Sequence, residues 1–240
     1  MLKLPSVTLV LRDVMCPELA RLAVLDSLAL VKPWKTLIFS DTDLNVPNTE
    51  WIKVPKWPTL LDHCRFFWHE QYQYIETPHF ISIEWDGWVI DPEQWDEKYL
   101  DYDFIGAPWW YNDALNVGNG LGLRSNRLMR YLHAYEDVFH VTAKEDEALG
   151  RIYRPTLEQN GFKWAPEALA SKFSFECTRP AGWSKHFMFH DSFNFPAVLD
   201  ADKLNERICL MHSNPYICAG HKLGELEAGR KAIILDRLCP

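Results

Sequence analysis

The sequence predicts an α/β fold in which a mixed, largely parallel sheet carries helices on both faces. Three observations predict it. Up to about residue 90, apolar runs and helical patterns follow the order β-α-β-β-α-β. The strand candidates are continuous aliphatic or aromatic runs rather than alternating ones, as expected of strands buried on both faces. Polar residues follow several of these runs where they end, and open α/β sheets bind ligands beyond the carboxyl ends of their strands.

Val7-Thr8-Leu9-Val10-Leu11 reads as the first strand and ends in Arg12-Asp13. Residues 17 to 31 read as a helix with Leu19, Leu22, Leu25, Leu28 and Ala29 on one broad face, stopped by Pro33. Thr36-Leu37-Ile38-Phe39 is a second strand, closed by the turn Ser40-Asp41-Thr42-Asp43, and Trp51 to Val54 is a third. A helix over 60 to 76 places Leu61, Cys64, Phe67, Trp68, Tyr72 and Ile75 three and four residues apart. Pro78 ends it, and Phe80-Ile81-Ser82-Ile83 follows as a strand leading into Glu84-Trp85-Asp86-Gly87. Beyond residue 90 the pattern changes to short strands, glycine turns and aromatic loops, with helices expected at roughly 125 to 135 and 145 to 159. Without a linker, repeat or low-complexity tract, the expectation is a single domain over 1–240.

Composition narrows the function classes. Acidic residues outnumber basic ones 33 to 25, giving a net charge of −8. A duplex-binding protein usually neutralises phosphates with a Lys/Arg excess, so the balance argues against a nucleic-acid partner. No apolar stretch approaches a bilayer span, and Met1-Leu2-Lys3-Leu4-Pro5 leads into a strand-like run rather than a signal peptide. Six cysteines lack any CxxC pair, and free thiols in the cytoplasm are the expectation. Eleven Trp and thirteen Phe supply flat faces, most of them for the core and some for a cleft.

Four constellations carry chemistry. Glu84 and Asp86, two apart at a strand end, share one face if the chain stays extended, and their oxygens suit Mg²⁺ or Mn²⁺. Val117-Gly118-Asn119-Gly120-Leu121-Gly122 allows a close backbone approach, either to a ligand or to another element. It lacks the helix start and later acid of a dinucleotide fingerprint. Glu145-Asp146 opens a helix, where acids complement the dipole, and either acid can act as a general base. His190, at the end of an aromatic strand, is either structural or an imidazole ligand that favours Mn²⁺ over Mg²⁺.

Ile81 to Ile90, Tyr102-Asp103-Phe104-Ile105-Gly106-Ala107-Pro108-Trp109, Gly118 to Ser125 and Glu145-Asp146 together resemble an uncharacterised, glycosyltransferase-like family. Its members share an Asp-Gly strand end, a Gly-Ala-Pro-Trp block, a Gly-Asn-Gly block and a Glu-Asp helix start. Trp164 to Ala168 and Phe173 to Glu176 are similar to its later part. The resemblance implies a GT-A-like, Rossmann-like fold, with about 1–90 the nucleotide-binding half and about 91–240 the acceptor and catalytic half. It implies an inverting glycosyltransferase that takes a nucleotide sugar, UDP-sugar favoured, and a hydroxyl acceptor, carbohydrate or otherwise. By order along the chain, Asp86 and His190 are the metal ligands, for Mn²⁺ or Mg²⁺, and Asp146, or failing that Glu145, is the base. Glu84 departs from the family's usual residue and is counted with the cofactor-binding residues, either behind the metal's direct ligands or on the acceptor side, rather than as a ligand itself. Arg12, Asp13 and Asp41 are expected near nucleobase and ribose, and Arg65 near a phosphate. Trp109, Trp110, Gly118, Asn119, Gly120 and Trp183 are expected to shape the substrate cleft.

Two rivals use the same residues differently: a metal-dependent phosphohydrolase or nucleotidyltransferase, and a non-catalytic carbohydrate-binding protein. Cys209, His212, Cys218 and His221 form C-x2-H-x5-C-x2-H, residue types that zinc accepts. The short central loop containing Pro215 departs from a zinc finger and argues against zinc.

Overall fold

A computed structural model describes residues 1–109, 111, 113–142, 144–176 and 185–219, without the side chains of 119, 120, 218 and 219. Trp110, Trp183 and His221, and the side chains of Asn119 and Cys218, therefore lie outside the described part.

Strands β1 (Leu2–Arg12), β2 (Val31–Ser40), β3 (Glu50–Lys53), β4 (His79–Ile83), β5 (Phe104–Pro108) and β6 (Val117–Ser125) form one sheet in the order β3-β2-β1-β4-β6-β5. The first four pair in parallel, with β1 central between β2 and β4. Strand β6 runs antiparallel to both β4 and β5. Strands β7 (Ser174–Phe175) and β8 (Met188–Phe189) form a short parallel pair. Both faces of the main sheet are covered, as its uninterrupted apolar strands demand.

Alternate residues of β1 assign the two faces. Leu9 and Leu11 join one buried cluster with α1 (Pro17–Leu30), the short pair and α8 (Ala201–Ser213). Val10 joins the other, with α2 (Leu60–His69), α3 (Asn126–Ala134) and the segment from α4 (Glu145–Glu147) through a π-helical turn (Ala148–Ile152) to α5 (Arg154–Gln159). The remaining helices are α6 (Glu167–Phe173), α7 (Phe195–Val198) and α9 (Pro215–Ala219).

Three local outcomes differ from the periodicity. Helix α1 buries Leu19 of the expected stripe, but beside it Ala20, Ala23, Val24 and Ser27 rather than Leu22, Leu25, Leu28 and Ala29. Small residues let the helix lie close to the sheet, where the Ser27 hydroxyl accepts a hydrogen bond from the Val89 N–H, and Leu25 and Leu28 pack at its flank. Helix α2 stops at His69 and continues as a 3-10 turn over Gln71–Tyr74. Its start is fixed by a capping box in which Thr59 and Asp62 satisfy each other's backbone N–H groups. The expected helix over 145 to 159 is interrupted by the π turn.

That π turn explains part of the glycine-rich strand. Gly118 packs against Gly150 and the Trp109 ring, so that a Cβ on Gly118 meets Trp109 Cη2 at 2.7 Å and Gly150 Cα at 2.8 Å. Trp109 is 5% exposed and is a core residue here rather than a wall of the cleft. Gly118→Ala is expected to destabilise the protein by about 1–3 kcal/mol, the usual cost of overpacking, read as a lower denaturation midpoint in urea. An unchanged midpoint would contradict this close packing.

Candidate functional site

A cavity of about 740 Å³ opens at the carboxyl ends of β1 and β4, where the parallel topology places ligands. Arg12, Asp13, Glu84, Glu145, Asp146 and His190 all line it.

Its first wall is built on the residues after β4. Glu84 and Gly87 exchange backbone hydrogen bonds of 2.9 and 3.2 Å, so the chain turns tightly over Glu84 to Gly87 instead of staying extended. The turn lies directly against the β8 segment. A Cβ on Gly87 comes within 2.6 Å of the Phe189 carbonyl and 3.0 Å of His190 Cα, so only glycine admits the approach. Beyond the turn, Phe189 N–H donates to Trp88 O and Ile90 N–H to Phe187 O, which ties the two segments together. As a result, Glu84, Asp86 and His190 offer ligand atoms all within 4.8 Å of one another.

His190 is held from three sides. Its N–H donates to Phe175 O, its carbonyl accepts from the Asn194 side-chain amide at 2.7 Å, and the next residue, Asp191, has φ of +77°. Strands β7 and β8 pair Phe175 with Phe189, so Glu176 and His190 follow side by side. Nδ1 of His190 is 3.2 Å from Glu176, while Nε2 is 3.7 Å from Asp86. Burial works against charge on this imidazole. The carboxylates of Glu176, Asp86 and Glu84 outweigh it and raise its pKa to about 10.

The donor set fits a divalent cation. Two carboxylates and one imidazole match Mn²⁺ or a similar ion. Glu176 on Nδ1 is the carboxylate that commonly orients a ligating histidine. Three acids gathered on one imidazole already hold one positive charge among them.

The floor is Arg12. Its Nε donates to His63 Nε2 at 3.2 Å and its Nη1 to Gln71 Oε1 at 2.7 Å and Ser82 Oγ at 3.3 Å. Glu84 lies 3.7 Å from Nη2, and Phe67 lies under the guanidinium. Accepting from Arg12 fixes the proton of His63 on Nδ1 when the ring is neutral. Burial, reinforced by Arg12, lowers the His63 pKa to about 3 and keeps it neutral.

Facing the first wall, Glu145 and Asp146 open α4. Glu145 Oε2 is buried and has no hydrogen-bond partner among the described residues. Burial raises the Glu145 pKa to about 7, with Arg124 opposing and Asp146 reinforcing the shift. Asp13 also rises to about 7 through burial, although the Met15 and Cys16 N–H groups donate to its Oδ1.

The other expected residues lie elsewhere. Asp41 pairs with Lys56, a cavity residue, at 3.7 Å but does not itself line the cavity. Arg65 is exposed and pairs with Asp62 at 3.5 Å, away from the cavity. Arg12, by contrast, lines the cavity, with its Nε and Nη1 donating to His63, Gln71 and Ser82. Cys209 is exposed on α8, where His212 bonds the Ile208 carbonyl at 2.8 Å. Residues that sequence reasoning did not assign include Arg124, Glu176, His63 and Trp57. Of these, only Glu176 had a signal of its own: like His190, it is a polar residue closing an aromatic run.

The chain belongs to the family described as "Protein of unknown function (DUF5672)", which matches residues 61–187, more than half of its length. No curated protein matches it. Among solved structures it is similar to the apo-form glycosyltransferase GlyE of Streptococcus pneumoniae TIGR4, at 11% identity and TM-score 0.47, over 76% of this chain and 53% of that one. The chain thus spans about half the length of GlyE. It is also similar to the galactosyltransferase LgtC in complex with donor and acceptor sugar analogues, at 12% identity and TM-score 0.49, over 83% and 94%. An active-site mutant of LgtC gives 11% and 0.48, over 84% and 95%. No helix among the described residues is long and apolar enough to cross a membrane.

The raised Glu145 pKa has a consequence for stability. The unfolded carboxyl titrates near 4.5 and the folded one near 7, so its contribution is fully present below pH 4.5 and is lost as pH rises through 7. Glu145→Gln removes this loss. Its stability advantage over wild type is expected to grow by about 1.4 kcal/mol per pH unit between these values and level off above. Urea denaturation at several pH values measures it, and a pH-independent gap would contradict the burial of this acid.

Proposed function

We propose that the chain is a divalent-metal-dependent glycosyltransferase that moves a sugar from a nucleoside diphosphate donor, UDP-sugar favoured, to a hydroxyl acceptor with inversion. One observation carries this reading. Glu84 and His190 line one cavity with the Glu145-Asp146 pair, Asp86 is buried with its ligand atom within 4.8 Å of those of Glu84 and His190, and the cavity's volume suits a nucleotide sugar.

Asp86 and His190 would hold the ion, with Glu84 as the third donor, and Glu176 orients the imidazole from behind. When bound, the ion supplies positive charge against the departing diphosphate. The reaction itself is a single displacement. The acceptor oxygen bonds to the anomeric carbon, the bond from that carbon to the diphosphate oxygen breaks, and the acceptor proton passes to a carboxylate. Glu145 suits that last step better than Asp146, because its pKa near 7 lies where a general base works best at neutral pH. Asp146 stands beside it and helps keep that pKa high. Arg12 acts as a positioning residue, since it holds Glu84 and His63 and has its donors occupied.

The reading is tested with a panel of nucleotide sugars, Mn²⁺ and mixed acceptors, following release of the nucleoside diphosphate. Release is expected to require Mn²⁺, to rise with pH through about 7, and to fall by about 10²–10⁴-fold in Glu145→Gln. Release of nucleoside monophosphate or inorganic phosphate instead would identify a phosphoanhydride-cleaving enzyme. Sugar binding that persists without metal and without turnover would identify a binding protein.

A further inference from the structure

We propose that His69, His133 and Glu136 form a second metal site, for Zn²⁺ or a similar borderline transition ion, which staples the end of α2 to the end of α3. Their ligand atoms lie within 4.8 Å of one another. Nδ1 of His69 is 3.7 Å from Glu136 Oε2, and Nδ1 of His133 is 3.8 Å from the same oxygen. Both nitrogens are buried and have no hydrogen-bond partner among the described residues. Two shielded ring nitrogens aimed at one carboxylate oxygen, with no bond made, are left unsatisfied by the protein alone.

Zinc resolves this arrangement. Its bonds to imidazole nitrogen and carboxylate oxygen are about 2.0–2.2 Å long and tetrahedral, which sets neighbouring ligand atoms roughly 3.3–3.5 Å apart. Each histidine nitrogen therefore needs to approach the Glu136 oxygen by only a few tenths of an ångström, and the two nitrogens start within 4.8 Å of each other. Two histidines with one carboxylate are a common zinc donor set, and the exposure of Glu136 and His133 leaves the fourth position to water. His69 is the last residue of α2 and His133 lies in the last turn of α3, so the negative ends of two helix dipoles face the ion. Burial also lowers the His69 pKa, which favours the neutral ring that a metal requires.

This site is separate from the cavity. The cavity meets the opposite end of α2, at Leu60, His63 and Cys64, so the staple would brace the helix that supplies that wall.

Direct titration with Zn²⁺ alone tests the proposal, using wild type, His133→Ala, Glu136→Gln, Asp86→Asn and Cys209→Ser. Wild type is expected to take up one more equivalent than His133→Ala and to gain several degrees in Tm with zinc. That equivalent should weaken at least tenfold in Glu136→Gln and survive in Asp86→Asn and Cys209→Ser. His133 is 41% exposed, so its substitution leaves the fold intact, which a far-ultraviolet spectrum verifies. Equal zinc uptake by wild type and His133→Ala overturns the proposal. So does loss of the equivalent in Asp86→Asn or Cys209→Ser but not in His133→Ala.

Discussion

A buried guanidinium at the end of the central strand sets the terms for everything around it. Arg12 is the last residue of β1, which lies between β2 and β4, and its charge is shielded from water. A buried charge persists only when paired and hydrogen-bonded, and breaking such an arrangement costs about 3–5 kcal/mol. The surrounding sequence meets that demand with Gln71 from the turn after α2, His63 from α2, Ser82 from β4 and Glu84 just beyond it. Three separate segments are thus fixed to one point. That point is also where the cavity opens, so the constraint that stabilises the junction also gives the cavity its floor.

The acids then follow from the same charge logic. Glu84 is held by Arg12 on one side and by the glycine-closed turn on the other, and that turn brings Asp86 against His190. Glu145 and Asp13, which also line the cavity, are pushed toward the protonated form by burial, and neighbouring acids add to the effect. A site with this many carboxylates beside one imidazolium favours a cation. In the proposed reaction, metal ligation and proton acceptance would be two uses of one excess of buried negative charge.

Much of the fold could be read in the sequence, and for a specific reason. Strands buried on both faces have uninterrupted apolar runs, so the strand order and the polar ends at Arg12-Asp13 and Glu84-Asp86 are visible along the chain. The face of α1 was not, because Ala20, Ala23 and Ser27 are chosen for closeness to the sheet rather than for hydrophobicity. The Glu84 to Gly87 turn is not fixed by local sequence, because its reason is a tertiary contact: Gly87 lies on the Phe189 carbonyl. Likewise the glycines of β6 permit two readings in sequence, and only the position of Gly150 and Trp109 shows what Gly118 accommodates. Arg12 was legible as a polar strand end, but its partners come from segments whose proximity depends on the fold. Glu176 and the His69, His133 and Glu136 group share that property, since their chemistry exists only where separate elements meet.

The central claim is that Asp86 and His190 hold a divalent ion beside the leaving diphosphate. A crystal grown with Mn²⁺ and UDP tests it most directly through the anomalous signal of manganese. The account predicts a manganese peak at bonding distance from an Asp86 oxygen and a His190 nitrogen. Manganese bound elsewhere, or UDP bound in the cavity with no manganese near Asp86, would contradict it.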